Sequence, residues 1–588
     1  MASYTPPVED MVFLLSEVFD FDGRMAELPG FEEINSELAA TVLEEAGKFA
    51  AGVLEPLNRS GDEEGSRLID GKVVTPKGFK EAYRAFADAG WCGLSGDPEY
   101  GGQGLPRTLQ ILTDEMVSSA NLSFGLFPGL TRGAVEAIGH HASDELKATY
   151  LPKMISGEWT GAMALTESNA GTDLGLLTTR AEPQGDGSYH ITGTKIFISS
   201  GEQDFGGNII HLVLARLPDA PKGVKGISLF LVPKFLVNAD GSLGARNPMG
   251  PGALEHKMGI HAQPTCVMNY DGATGWLVGE PNRGLAAMFT MMNAERLFVG
   301  IEGLGVGEAA CQKATAYAKE RLQGRSLDGA RPLVPIIEHP DVRKMLLTGR
   351  VLCDGARALS VWTALQMDKA GRHPDKAERL AADGFVALLT PVVKAAFTDF
   401  GFETAVISQQ VFGGHGYIRE WGMEQFVRDA RITQIYEGTN GVQAMDLAGR
   451  KLPMEGGELA PRFFAAIKAD LEAAKGVAGA ETIVAETAKA LIRLENATAY
   501  LLARTADPAE AGAAATDYLR LFALTALGWC WTKMAVAALT GTDRAPALAR
   551  KPALAEFFAA RILPQTLALE ASVLAGPKTL MALEADVI

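Results

Sequence analysis

The sequence predicts an α+β chain laid out as helices, then strands, then helices, and three observations predict it. Apolar residues recur at helical spacing through 35–58, 77–90 and 116–143. From about 160 to 275 the texture changes to β-branched runs cut by Gly, Asp and Pro, among them HITGTKIFI, HLVLARL, GISLFLVPKFLV and CVMNYDGATGWLVG. Helical patterns return from Gly284 and run almost to the end.

In chain order, residues 1–34 form an N-terminal extension, 35–159 a helical domain and 160–283 a β domain. Residues 284–452 read as antiparallel helices of a bundle, broken at GRSLDGARPLVP and GRHPDKAE. After the Gly-rich break PMEGGELAP, residues 453–588 are Ala-rich and helical and read as a separate α domain. Its apolar run LFALTALGWCWTKMAVAALT approaches membrane-spanning length but contains Lys533, so it reads as a buried bundle helix.

Composition narrows the function. At 588 residues and 47% hydrophobic, the chain exceeds one core and divides into several. A net charge of -17 argues against nucleic acid or an anionic membrane as partner. The last segment agrees: from Glu455 to Ile588 it holds 15 acidic and 13 basic residues, so no basic face is expected there. Five scattered cysteines without a CxxC pair suit a reducing cytoplasm, and no export signal is read in the acidic N-terminus. The nine histidines lack HExxH or HxH spacing, so no metal is expected. The glycine-rich GIEGLGVGEA, residues 300–309, departs from GxGxxG and has no strand ahead of it; it reads as close helix packing.

The most informative run is RITQIYEGTNGVQ, residues 431–443, which sets Glu437 on a Gly-flanked bend. Ile432, Ile435 and Tyr436 are expected to bury it, a setting that raises a carboxyl's pKa toward a base's working range. Thr439 and Asn440 open a new helix, with Gln443 in capping-box spacing after Asn440. Residue chemistry leaves two readings open: a catalytic base, or a structural Glu salt-bridged to Arg431 or Arg428.

The run YEGTN, together with PEYGGQGLP, MALTESNAGTDL, GTKIFISSG, NAERLFVG and QVFGGHGYIRE in that family's order, resembles the acyl-CoA dehydrogenases over roughly residues 35–450. The resemblance implies an N-terminal helical domain, a middle β-sheet or barrel domain and a C-terminal four-helix bundle, here with an extra helical domain. It implies FAD-dependent α,β-oxidation of an acyl-CoA thioester, with Glu437 taking the α proton and the flavin the hydride. Leu165, Thr166, Phe197 and Ser199 match flavin contacts, with Phe for the commoner Trp and Ser for the commoner Thr. Arg321, Gln410, Gly413, Gly414 and Thr439 match residues along the diphosphate and adenosine of FAD, bound across a subunit boundary. Thr172, Arg296 and Gly438 match substrate or CoA positions. Glu295 occupies the place from which a minority of the family projects its base, so two carboxylates compete; the intact YEGTN favours Glu437. A homodimer or dimer of dimers and an electron-transfer flavoprotein as acceptor follow from the same resemblance. Length, the N-terminal segment and LFPGLTRGA resemble the branch that oxidises 3-(methylthio)propanoyl-CoA. A general short- or medium-chain dehydrogenase, an acyl-CoA oxidase and a non-catalytic nucleic-acid-binding flavoprotein are the alternatives.

Overall fold

A computed structural model describes residues 4–541 and 546–587. Packing gathers the chain into two compact units, one of residues 52–105 and 120–298, the other of 1–51, 106–119 and 299–588.

The first unit holds every strand found among the described residues. β1 (Arg67–Ile69) and β2 (Lys72–Val74) make a short hairpin; β3 (Thr160–Ala164), β4 (Arg180–Pro183), β5 (Tyr189–Ser199), β6 (Ile209–Arg216) and β7 (Ile227–Pro233) follow, then β8 (Phe235–Val237), β9 (Leu243–Arg246), β10 (Met249–Leu254) and β11 (Thr265–Val278). The main sheet runs β10-β11-β5-β4-β6-β3, and β7 pairs with both β11 and β6, closing five strands into a barrel. Ile191, Ile198, Val213, Phe230, Val232 and Met268 fill one face of it. β7 is buried at every position, which is why its sequence is an apolar run rather than an alternating one, broken only by Ser228, whose hydroxyl accepts from the Asn282 N–H at 2.8 Å.

On the other face lies the helix Leu122–His141, which carries LFPGLTRGA. Its start is capped by Asn121, whose side chain accepts from the Phe124 N–H. That cap splits the helical pattern of 116–143 into two helices, the first ending at Ala120. The Thr131 hydroxyl accepts from the Gly161 N–H at 3.0 Å, and a Cβ at Gly161 would stand 2.7 Å from that of Ala134. Thus a glycine at the start of β3 lets the helix lie flat on the sheet.

The second unit is helical. Four bundle helices, Gly284–Glu320, Pro340–Arg372, Lys376–Val411 and Met423–Thr433, supply its frame, the first also contributing to the other unit. GIEGLGVGEA is a packing motif: a Cβ on Gly303 would come within 2.6 Å of the Thr398 Cα, and one on Gly401 within 2.0 Å of the Gly303 carbonyl. The extra C-terminal helices pack on the bundle. Trp531 donates to the Val351 carbonyl at 3.0 Å, and Trp529 meets Trp362 edge-on at 5.2 Å. An apolar surface of that size is stable only against another, and the bundle supplies it. The helix Pro508–Thr540 is long and apolar enough to cross a membrane, yet 83% of its most apolar window is buried inside the protein, and Lys533 reaches Asp470 at 3.0 Å.

Candidate active site

Glu437 stands on a bend between the helices Met423–Thr433 and Asn440–Met445. Its φ is 57° and that of Gly438 is 81°. Two successive left-handed residues reverse the chain within one turn; the first costs roughly 1–2 kcal/mol for a non-glycine, so the surroundings must hold it. They do so through Asn440. Its amide donates to Asp399 at 2.7 Å and to the Ala395 carbonyl at 3.1 Å, and its oxygen accepts from Lys394 at 2.9 Å, all on the helix Lys376–Val411. Gln434, at the other end of the bend, donates to the same Asp399 oxygen at 2.6 Å. The bend is therefore pinned at both ends to one helix.

Two local expectations change. Thr439, exposed, is the cap and accepts from Val442 at 3.4 Å; Gln443 lies one residue beyond capping-box spacing and instead donates to the Glu437 carbonyl at 3.3 Å. Ile435 is 44% exposed and does not bury the site, while Ile432, Tyr436 and Glu437 are half-buried. Of the arginines considered as partners, Arg428 holds Glu424 at 3.0 Å and Arg431 donates to Gln434 at 3.2 Å.

In the strand-bearing unit, Leu165, Thr166, Phe197 and Ser199 come together where β3 ends beside β5. The Thr166 carbonyl accepts from the Ile196 N–H at 2.9 Å. A bulge in β5 opposite Cys266 and Met268 frees Phe197, which has φ 59° and is 59% exposed. Glu167 and Lys195 hold the junction and were not singled out in the sequence. Glu167 accepts from the hydroxyls and N–H groups of Thr178 and Thr179 at 2.6–3.0 Å and from Lys195 at 2.9 Å; Lys195 also donates to the Leu165 carbonyl at 2.9 Å. Burial pushes the Glu167 carboxyl up, but the ammonium and these hydrogen bonds outweigh it and hold it at about 2. Thr172 is exposed on the following loop.

Glu295 is only 3% exposed, and its Oε1 would stand 2.3 Å from a Cβ at Gly133 of the helix Leu122–His141. A glycine there gives the carboxylate room to lie against the helix. Arg296, also buried, donates to Asn293 at 3.3 Å and stacks over Phe289.

Arg321, Gln410, Gly413 and Gly414 are all exposed. Tyr317, one turn before Arg321, bonds His415 Nδ1 at 2.9 Å and stacks on Phe412 at 4.0 Å, which ties the end of its helix to the Gly413–Tyr417 turn. Nothing lies within 4 Å of a Cβ built at Gly413 or Gly414, so this surface is open to a ligand's approach.

Four family models match the chain in order: the acyl-CoA dehydrogenase N-terminal domain over residues 36–158, middle domain over 162–273 and C-terminal domain over 282–452, then an acetyl-CoA dehydrogenase C-terminal-like region over 463–584. The chain is 45% identical to a 3-methylmercaptopropionyl-CoA dehydrogenase of Ruegeria pomeroyi over 95% of its own length and 96% of the relative's. It is 37% identical to a butyryl-CoA dehydrogenase of Syntrophomonas wolfei, over 80% of this chain and 79% of that one. An acyl-CoA dehydrogenase from Bacillus anthracis, solved in complex with FAD, shares the fold at a TM-score of 0.73 and 20% identity, over 95% of this chain and 90% of that one. With a left-handed Glu-Gly bend pinned at both ends, an exposed aromatic on a strand bulge and family matches from Ser36 to Glu584, the chain belongs to the acyl-CoA dehydrogenase family, FAD-dependent oxidoreductases.

Proposed function

We propose that this chain oxidises a short acyl-CoA thioester to its 2-enoyl-CoA, with Glu437 as the base and 3-(methylthio)propanoyl-CoA as the substrate. The observation that carries the base assignment is the bend itself: a strained carboxylate-bearing residue held by Asn440, Gln434 and Gln443 against one helix. Backbone strain persists only where the surroundings over-determine it, and it gathers where a side chain must be aimed. The substrate assignment is supported by the 45% identity to the Ruegeria enzyme. Butanoyl-CoA, the substrate class in the name of the Syntrophomonas relative, is the competitor. One atom in the chain separates the two, and a pocket distinguishes such near-homologues by about 1–3 kcal/mol.

The residues fit FAD on two observations of the molecule, the exposed Phe197 beside Ser199 and the open glycines beside Arg321. When bound, FAD supplies the hydride acceptor that no side chain offers. Leu165, Thr166, Phe197 and Ser199 would hold its ring; Arg321, Gln410, Gly413, Gly414 and Thr439 would hold its diphosphate and adenosine side across a subunit boundary of a homodimer or dimer of dimers. Thr172, Arg296 and Gly438 would bind the CoA thioester. The Glu437 N–H would donate to the thioester carbonyl while its carboxylate takes the α proton, a division that polarises the bond and removes the proton from one residue. An electron-transfer flavoprotein would take the electrons in the cytoplasm, a reducing setting that suits five buried, unpaired thiols.

The test is anaerobic bleaching of the flavin by a panel of acyl-CoAs, with Glu437→Gln and Glu295→Gln beside the wild type. Glu437→Gln is expected to retain FAD and to slow bleaching by at least about a hundredfold, the lower end for a general base. Glu295→Gln is expected to bleach at a rate near the wild type's. Equal loss in both would move the base to Glu295, and faster bleaching by butanoyl-CoA would overturn the substrate.

A further inference from the structure

GIEGLGVGEA packs two helices through its glycines, but Glu302, in the middle of it, is not needed for that packing. Glu302 is fully buried. Its Oε2 accepts from the Tyr436 hydroxyl, and among the described residues no hydrogen bond reaches its Oε1. An ionised carboxylate leaves no oxygen dry without a large penalty, whereas a carboxylic acid tolerates it. The charged groups that face it come from three directions: Glu437 on the bend, Lys394 on the helix Lys376–Val411 and Asp114 on the helix Arg107–Ala120. Burial and the charges of Glu437 and Asp114 push the Glu302 carboxyl up, against the Tyr436 hydrogen bond and Lys394, to about 8.

We infer that Glu302 is a positioning residue for the base proposed above: it fixes the Glu437 bend through the Tyr436 hydroxyl, and its ionisation releases that bend. The role rests on Glu437 being the base. Tyr436 precedes Glu437 directly, so whatever holds the phenol limits the carboxylate's freedom. When Glu302 is a neutral acid, it accepts from Tyr436 and adds no charge beside Glu437. When it ionises, a further negative charge appears in a buried site facing Glu437 and Asp114. The half-buried bend is the element able to yield, and moving outward lets water reach the new charge.

The experiment measures kcat and KM against pH with 3-(methylthio)propanoyl-CoA, butanoyl-CoA and a dye acceptor, for wild type, Glu302→Gln, Glu302→Leu, Tyr436→Phe and the Leu/Phe double variant. Wild-type kcat is expected to fall on the alkaline side with an inflection near pH 8, because burial holds the Glu302 carboxyl up to about 8. Glu302→Gln, still an acceptor but uncharged, is expected to keep kcat within about twofold at neutral pH and to lose the inflection. Glu302→Leu and Tyr436→Phe are each expected to lower kcat about tenfold at every pH with KM little changed, and the double variant to be no worse than either, because both break one contact.

A substrate-free readout accompanies this. A carboxyl raised in the folded state binds its proton more tightly there than in the unfolded chain, so its stabilising contribution is complete below about 4.5 and lost as pH rises to about 8. The melting-temperature advantage of Glu302→Gln over wild type is therefore expected to widen across that window and stay constant above it. An active wild type whose Glu302→Gln variant keeps the inflection, or loses as much activity as Glu302→Leu, overturns this role alone, as does a melting difference that ignores pH. A wild type inert toward every acyl-CoA overturns the proposed function and this role together.

Discussion

Lys195 and Glu167 show how the junction of β3 and β5, proposed above to hold the flavin ring, is made rigid by residues that need not touch a flavin. The carboxylate collects four Thr donors and an ammonium, so its charge is fully compensated although both side chains are buried. Removing one member strands the other, at roughly 3–5 kcal/mol for a buried pair. The two substitutions are not equivalent. Lys195→Met leaves Glu167 with its Thr donors and is expected to cost about 3 kcal/mol; Glu167→Ala orphans the ammonium and four donors and is expected to cost about 5. Urea unfolding of the two variants gives the order, and the reverse order would show that the ammonium, not the acceptor, organises the junction. This pair was illegible in the sequence because 28 residues separate its members and no spacing rule joins them. Phe197 was legible as a position and not as a shape: its left-handed backbone arises from a bulge, which is a property of the pairing of β5 with β11.

At the scale of the element, the bend works because two short helices are tied to a long one. Asn440 does most of this, exchanging hydrogen bonds with Lys394, Ala395, Thr398 and Asp399. Asn440→Ala would leave Asp399 and Lys394 to find water or each other. Hydrogen bonds to charged groups are worth about 1.5–3 kcal/mol, so the variant is expected to lose about 2–4 kcal/mol of local stability and to lower kcat by at least about tenfold. Hydrogen exchange at residues 434–440 is the direct check: protection unchanged from the wild type would show that the bend stands without its pin. The helices and strands of each unit were largely visible in the sequence, since HITGTKIFI, HLVLARL, GISLFLVPKFLV and CVMNYDGATGWLVG each carry the alternation or apolar run their burial requires. Missed were β4 and β10, whose Pro- and Gly-bearing sequences form strands only because a neighbour offers an edge. The meeting of Glu302 with Tyr436 was equally hidden, because the glycines around Glu302 explain themselves by packing and draw attention away from it.

At the scale of the molecule, the helical unit is closed by a buried charge network that no single segment contains. Arg357 binds Glu115 at 2.8 Å and Glu308 at 2.8 Å; Arg350 joins Glu308 to Asp354; Lys551 reaches Asp354 at 2.9 Å and Asp10 at 3.1 Å. The N-terminal extension, the bundle and the C-terminal helices thus share one set of ions. A Gly-rich break marks off the extra C-terminal helices in the sequence, and a break in composition does not show what the next helix packs on. If the core is shared, Lys551→Met must weaken the whole unit. It removes a cation from two buried carboxylates, for an expected loss of about 3–5 kcal/mol in one cooperative transition. The pH dependence follows from Asp354. Burial pushes its carboxyl up, but Lys551, Arg350 and Arg357 outweigh it and hold it well below its ordinary 3.8. A carboxyl depressed in the folded state stabilises above its unfolded value and loses that contribution in acid. The gap between wild type and Lys551→Met is therefore expected to be full at neutral pH and to narrow below about pH 4, read as urea midpoints. A separate early transition in the variant, with the rest of the unit unfolding as in the wild type, would show instead that the C-terminal helices stand as a domain of their own.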